Sequence, residues 1–158
     1  MAIFHVISVV VPMIIAVVVP AALRRAGYSV EARYRGLLYA ACGLFFISWY
    51  LPSPLIDGQH TSFTTHLVGG GVFTGLLWWY LKLSLRWRGL WLLEAFSLFV
   101  LVSALGCINE LAEIVMVKAG LARITLTDTS WDIVANTLGA LLVYVVYLVI
   151  TRVRKAER

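Results

Sequence analysis

The chain has 158 residues, 61% of them apolar and 13% charged, with a mean hydropathy of +0.91. Soluble domains hold about 45–50% apolar and about 25% charged residues, so a disordered, fibrous or nucleic-acid-binding chain is excluded and a soluble globule nearly so. The net charge of +5 is then read first as membrane orientation, in one small domain covering residues 1–158.

A helix crossing the hydrocarbon core takes about 20 mostly apolar residues. Five stretches qualify, at residues 3–23, 37–51, 63–83, 90–117 and 130–151. The expected fold is therefore all-α, a polytopic bundle of five transmembrane helices. The first stretch has no bases before it and no small-residue cleavage site, and Arg24 and Arg25 follow it; it is read as a retained span. Trp49 and Tyr50 close the second, and Asp57 after Pro54 is read as a turn residue. The third carries His66, a glycine run at Gly69–Gly71, then Gly75, and ends at Trp78, Trp79 and Tyr80. Trp87 and Trp91 mark the start of the fourth, and Trp131 that of the fifth. Cys42 and Cys107 lie inside apolar runs, which argues against a disulfide framework or a zinc cluster.

Eleven of the thirteen bases fall in the first loop, the third loop and the tail; only Lys118 and Arg123 fall on the other side. The positive-inside rule then puts the N-terminus outside and the C-terminus in the cytoplasm. Acids follow the opposite trend. Glu31, Glu94 and Glu157 lie near the basic side, where neighbouring arginines suffice to pair them. Asp57, Glu110, Glu113, Asp128 and Asp132 lie on the outer side or in the outer half of the spans, with His5, His60 and His66.

At about 1.5 Å of rise per residue, Glu110, Glu113, His66, Asp132 and Asn136 all fall within about 10 Å of the outer surface. Glu110 and Glu113 are three apart and share a helix face; Asp132 and Asn136 are four apart, and Asp128 joins them if the fifth helix starts early. Gly71 and Gly75 give a small-xxx-small spacing, and Gly106 and Gly139 extend the small-residue surface. The third, fourth and fifth helices are thus expected to pack around one polar cluster, with Glu110 its deepest carboxylate. Ionisable groups inside a span face a bundle interior or a wet cavity. Here they can share a proton, pair with Lys118 or Arg123, or bind a cation. His5 and His60 are read as interfacial residues.

The segment Asp128-Thr-Ser-Trp-Asp132-Ile-Val-Ala-Asn136-Thr-Leu-Gly139-Ala, preceded by Glu110 and Glu113, resembles the C-terminal signature of VanZ-like membrane proteins. It is more similar still to the related YjdF-like group, and His66-Leu-Val-Gly-Gly-Gly is similar to that group's histidine segment. The resemblance covers about residues 61–142. It implies a small multi-pass protein of the bacterial inner membrane and supplies no set reaction.

Three functions stay open. One is a site open to the outer face, acting on a lipid-linked or cell-envelope substrate. In it Glu110, Glu113, Asp132 and His66 are the catalytic residues, and Asp128, Asn136 and Arg123 are substrate- or ion-binding. His66, Glu110 and Asp132 would be its metal ligands, for magnesium, calcium or manganese rather than zinc. The second is a proton- or cation-coupled transporter. The third is an accessory subunit that binds a membrane-protein partner. A hydrogen-bonded polar plug without further function is the plain alternative to all three.

Overall fold

A computed structural model describes residues 2–28, 31–56, 58–121 and 126–157. Its five helices are α1 (Ala2–Arg25), α2 (Arg35–Ser48), α3 (residues 63–84), α4 (Trp91–Lys118) and α5 (Leu126–Ala156). A single 3₁₀ turn at Ala32–Tyr34 leads into α2, and a two-stranded hairpin, β1 (Leu55–Ile56) with β2 (Gln59–His60), precedes α3. Arg123 and Asp57 lie outside the described residues.

Three helical stretches are long and apolar enough to cross a membrane: His5–Arg25, Trp91–Lys118 and Asp128–Val153. The other two helices fall where the apolar runs predict them but differ in form. α2 has 14 residues, about 21 Å of helix. It stops at Ser48 rather than Leu51, in line with Pro52, which disfavours helical backbone at the residue before it. α3 is not one uniform helix: α-helical Phe63–Thr65 passes into π-helical His66–Val72 and then into α-helical Phe73–Ser84. α5 begins four residues earlier than 130, which places Asp128 on the helix with Asp132 and Asn136.

Two helix ends are closed in the same way. Gly27 (φ 84°) and Gly120 (φ 71°) take the left-handed conformation that side chains disfavour. The next N–H then reaches back five residues, from Tyr28 to Leu23 O and from Leu121 to Met116 O. Contacts between the elements make successive helices antiparallel. His5 stacks on Tyr50 with ring centroids 5.9 Å apart, Glu31 meets Arg86 at 3.7 Å, and Glu94 at the start of α4 meets both Lys82 at the end of α3 and Tyr147 late in α5. Ser62 and Asp128, 3.1 Å apart, join the starts of α3 and α5, which run parallel. One end of the bundle thus holds Ser62 and Asp128, and the other holds Arg33, Arg86 and Arg88.

α3 is the central helix. One side of it, at Phe73, Leu77 and Tyr80, packs with Leu23, Leu38 and Ala41. Trp78 faces the other way, into Leu98, Val102, Ala140, Tyr144 and Tyr147, with its ring edge-on to both tyrosines at 5.6 and 5.3 Å. Large apolar side chains along α1, α4 and α5, such as Met13, Val17, Leu111, Val115 and Leu142, are exposed. That is the pattern of helices whose outer surface meets lipid rather than water.

The basic end contains a buried ion pair that corrects the expected arginine pairing of Glu94. Lys82 Nζ lies 2.6 Å from Glu94 Oε1 and also donates to Trp87 O at 2.9 Å. Tyr147 OH donates to Glu94 Oε2 at 3.1 Å. Glu31 does pair with arginines, Arg33 at 2.6 Å and Arg86 at 3.7 Å.

Candidate functional site

The glycine run brings α3 against α5. A side chain on Gly71 would meet the Asn136 carbonyl and Gly139 Cα, and one on Gly139 would meet Leu67 O and Val72 N. The two backbones therefore touch, as small residues permit. The π turn is placed at this crossing. Its i→i+5 pattern widens the helix by one residue per turn, a distortion often found at functional sites. His66 is its first residue.

From there His66 points into the carboxylates. Its Nε2 lies 3.4 Å from Asp132 Oδ2 and 3.7 Å from Glu113 Oε1, and its Nδ1 lies 3.5 Å from Asn136 Nδ2. Asn109, one turn before Glu113, donates to Glu113 Oε1 at 2.7 Å. His66, Glu110 and Asp132 each offer a ligand atom, and these atoms lie within 4.8 Å of one another. Gly106 faces Asn136 Nδ2 from the α4 side, one turn before Glu110.

Asp132 is fully buried, whereas Glu110 is partly exposed. The most enclosed carboxylate is thus Asp132 and not Glu110, because α5 is gripped by the glycine run while α4 stands further out with Leu111, Ile114 and Val115 exposed. Ser62, which periodicity does not single out, ties the acids of α5 together. Its hydroxyl is 2.7 Å from Asp132 Oδ1 and 3.1 Å from Asp128 Oδ1, and its N–H donates to Asp128 Oδ1 at 3.1 Å. It stands where a helix cap would, but its hydroxyl caps no backbone N–H. Its position just before α3 is the one sequence signal that marks it. Periodicity does not single out Asn109 or Thr129 either; Thr129 lies within hydrogen-bonding reach of Glu110.

Among the described residues, three buried oxygens in this layer lack a hydrogen-bond donor: Glu110 Oε1, Asp132 Oδ2 and Asn136 Oδ1. Leaving such an acceptor unsatisfied costs about 1–3 kcal/mol each. Turning the Asn136 amide toward His66 would satisfy one of the three; Glu110 Oε1 and Asp132 Oδ2 still need a cation, a proton or water.

His66, Glu110, Glu113, Asp128, Asp132 and Asn136 are thus brought into one cluster. His5 and His60 stay apart: His5 is engaged with Tyr50, and His60 is exposed in the hairpin. Compared with known protein families, curated proteins and solved structures, the chain matches none.

Proposed function

We propose that the chain is a VanZ-like, five-span protein of the bacterial inner membrane, with its N-terminus outside and its C-terminus in the cytoplasm. Its polar cluster then opens to the outer face, binds a divalent cation and acts on a lipid-linked or cell-envelope substrate. The observation that carries the site is the meeting of His66, Glu110 and Asp132 within 4.8 Å, next to buried oxygens with no donor.

A point equidistant from three atoms 4.8 Å apart is about 2.8 Å from each, slightly beyond calcium–oxygen bonds of about 2.3–2.6 Å. A small inward movement closes the shell. Rotating the Asn136 amide by half a turn lets Oδ1 accept the Nδ1 proton of His66. The Nε2 lone pair is then free for the cation, which is how ligand imidazoles are usually held. A cation there would polarise a phosphoryl or carbonyl oxygen. Glu113, held by Asn109 and 3.7 Å from His66, supplies a carboxylate able to accept or return a proton.

The transport reading gains little support. Between Asn136 and Tyr147, the α5 side chains turned inward are Ala140, Val143 and Tyr144, with no chain of relay groups.

The test is manganese binding by the purified protein in detergent. Glu110→Gln and Asp132→Asn keep shape and remove charge, so each weakens binding by more than about tenfold with helix content unchanged. Wild-type binding in both variants, or no saturable binding in the parent, would leave only a hydrogen-bonded polar plug.

A further inference from the structure

At the end of the bundle opposite the carboxylates, a cleft of about 830 Å³ opens between the start of α4 and the last turns of α5. Arg88, Leu90, Trp91, Glu94, Leu148 and Arg152 line it. Lys82 neutralises Glu94 from 2.6 Å. Arg88 and Arg152 are exposed and have no ion-pair partner among the described residues, so the cleft presents two guanidinium groups to whatever occupies it. A neighbouring cavity of about 480 Å³ shares Arg88, but there Glu31 already engages Arg33 and Arg86. The cations at this end that remain open to an anion in the cleft are therefore Arg88 and Arg152.

The mouth of the cleft is apolar and open at Leu90 and Trp91, with Leu148, Tyr147 and Thr151 behind them. Leu90 is 71% exposed and Trp91 61% exposed, beside charged groups that prefer water. Cations next to exposed apolar side chains, at the end of a spanning helix, match the two halves of a lipid rather than a soluble ion. Guanidinium groups bind phosphate through paired N–H donors, and basic pockets between spanning helices take anionic lipid headgroups. A free phosphate would fill a small part of the cleft and leave Leu90 and Trp91 uncovered.

We propose that this cleft binds an anionic phospholipid, with Arg88 and Arg152 on its phosphate and Leu90, Trp91 and Leu148 along its glycerol and upper acyl chain. The site is independent of the cation cluster and of which side of the membrane it faces.

The test is the thermal midpoint of the full chain in detergent during titration with short-chain phosphatidylglycerol. The midpoint rises to saturation, while phosphatidylcholine of equal chain length and glycerol phosphate alone do not raise it. The double variant Arg88→Gln, Arg152→Gln responds with an apparent affinity roughly 25-fold weaker, about fivefold for each arginine. Arg25→Gln, on α1 and outside the cleft, responds as the parent does. An equal response to phosphatidylcholine, a response to glycerol phosphate, or an intact response in the double variant would overturn the proposal. If the double variant does not fold, emission quenching by brominated phosphatidylglycerol decides. The parent should be quenched more than Trp91→Phe, and more than by the brominated choline lipid; no such difference would overturn the proposal equally.

Discussion

The side-chain oxygen of Asn136 occupies the space that a Cβ on Gly70 would need. This contact, with those of Gly71 and Gly139, joins the π turn of α3 to the polar face of α5, and Asn136 also lies 3.5 Å from His66 Nδ1. The absence of a side chain at position 70 thus sets where Asn136, and through it His66, can stand.

Gly70→Ala should therefore push Asn136 away and weaken cation binding more than it lowers stability, since a side chain end can move. Gly71→Ala and Gly139→Ala meet backbone instead, at Gly139 Cα and Leu67 O, and should each cost about 1–3 kcal/mol by overpacking. Gly43→Ala, with nothing within 4 Å of its added carbon, is the control and should lose no stability. Thermal melts in detergent alongside manganese titrations separate these outcomes. A Gly139→Ala protein as stable as the parent would contradict the close crossing.

The positions of the helices were legible because backbone in lipid has few ways to satisfy its own polar groups, so a long apolar run is a helix. The four-residue spacing of Asp128, Asp132 and Asn136, and the three-residue spacing of Glu110 and Glu113, placed each set on one face in advance. The π turn was not legible. It depends on Asn136 and Gly139 standing against Gly70 and Gly71, contacts about 70 residues away in sequence. Ser62 was hidden because its partners are across the bundle. Lys82 and Glu94 sit twelve residues apart across a loop, and no periodicity tells Glu94 to choose that lysine over the nearby Arg86 or Arg88.

Ser62→Ala removes the donor 2.7 Å from a fully buried carboxylate oxygen of Asp132. An acceptor left without its partner there should cost about 1–3 kcal/mol. Ser62→Thr keeps the hydroxyl and should recover most of it. Equal melting temperatures for the alanine and threonine variants would mean the hydroxyl contributes nothing to Asp132.

The ion pair at the basic end gives a different signature. Lys82 and Glu94 side chains are 7% and 8% exposed. Lys82→Met alone strands a buried carboxylate and should cost about 3–5 kcal/mol. Adding Glu94→Gln should restore much of that loss, since two neutral groups of similar size need no partner charge. A double variant no more stable than Lys82→Met would show that packing, not charge, dominates there.

Topology is tested by single cysteines in a protein whose Cys42 and Cys107 are replaced by alanine. In intact cells, a cysteine at Gln59, exposed in the hairpin, should label with an impermeant thiol reagent. Cysteines at Arg33 and Arg88 should stay protected until the membrane is opened. Labelling at Arg88 from outside would reverse the proposed orientation.

The most direct measurement is electron spin echo spectroscopy of manganese bound to the detergent-purified protein. A cation held by His66 Nε2 should show nitrogen modulation from a directly bound imidazole. That modulation should vanish in His66→Gln, whose carbonyl can still ligate, while a manganese signal remains. It should also fade on mild acidification, because protons compete for the same ligand atoms. Manganese bound without nitrogen modulation, or with modulation unchanged in His66→Gln, would contradict a site built on His66, Glu110 and Asp132.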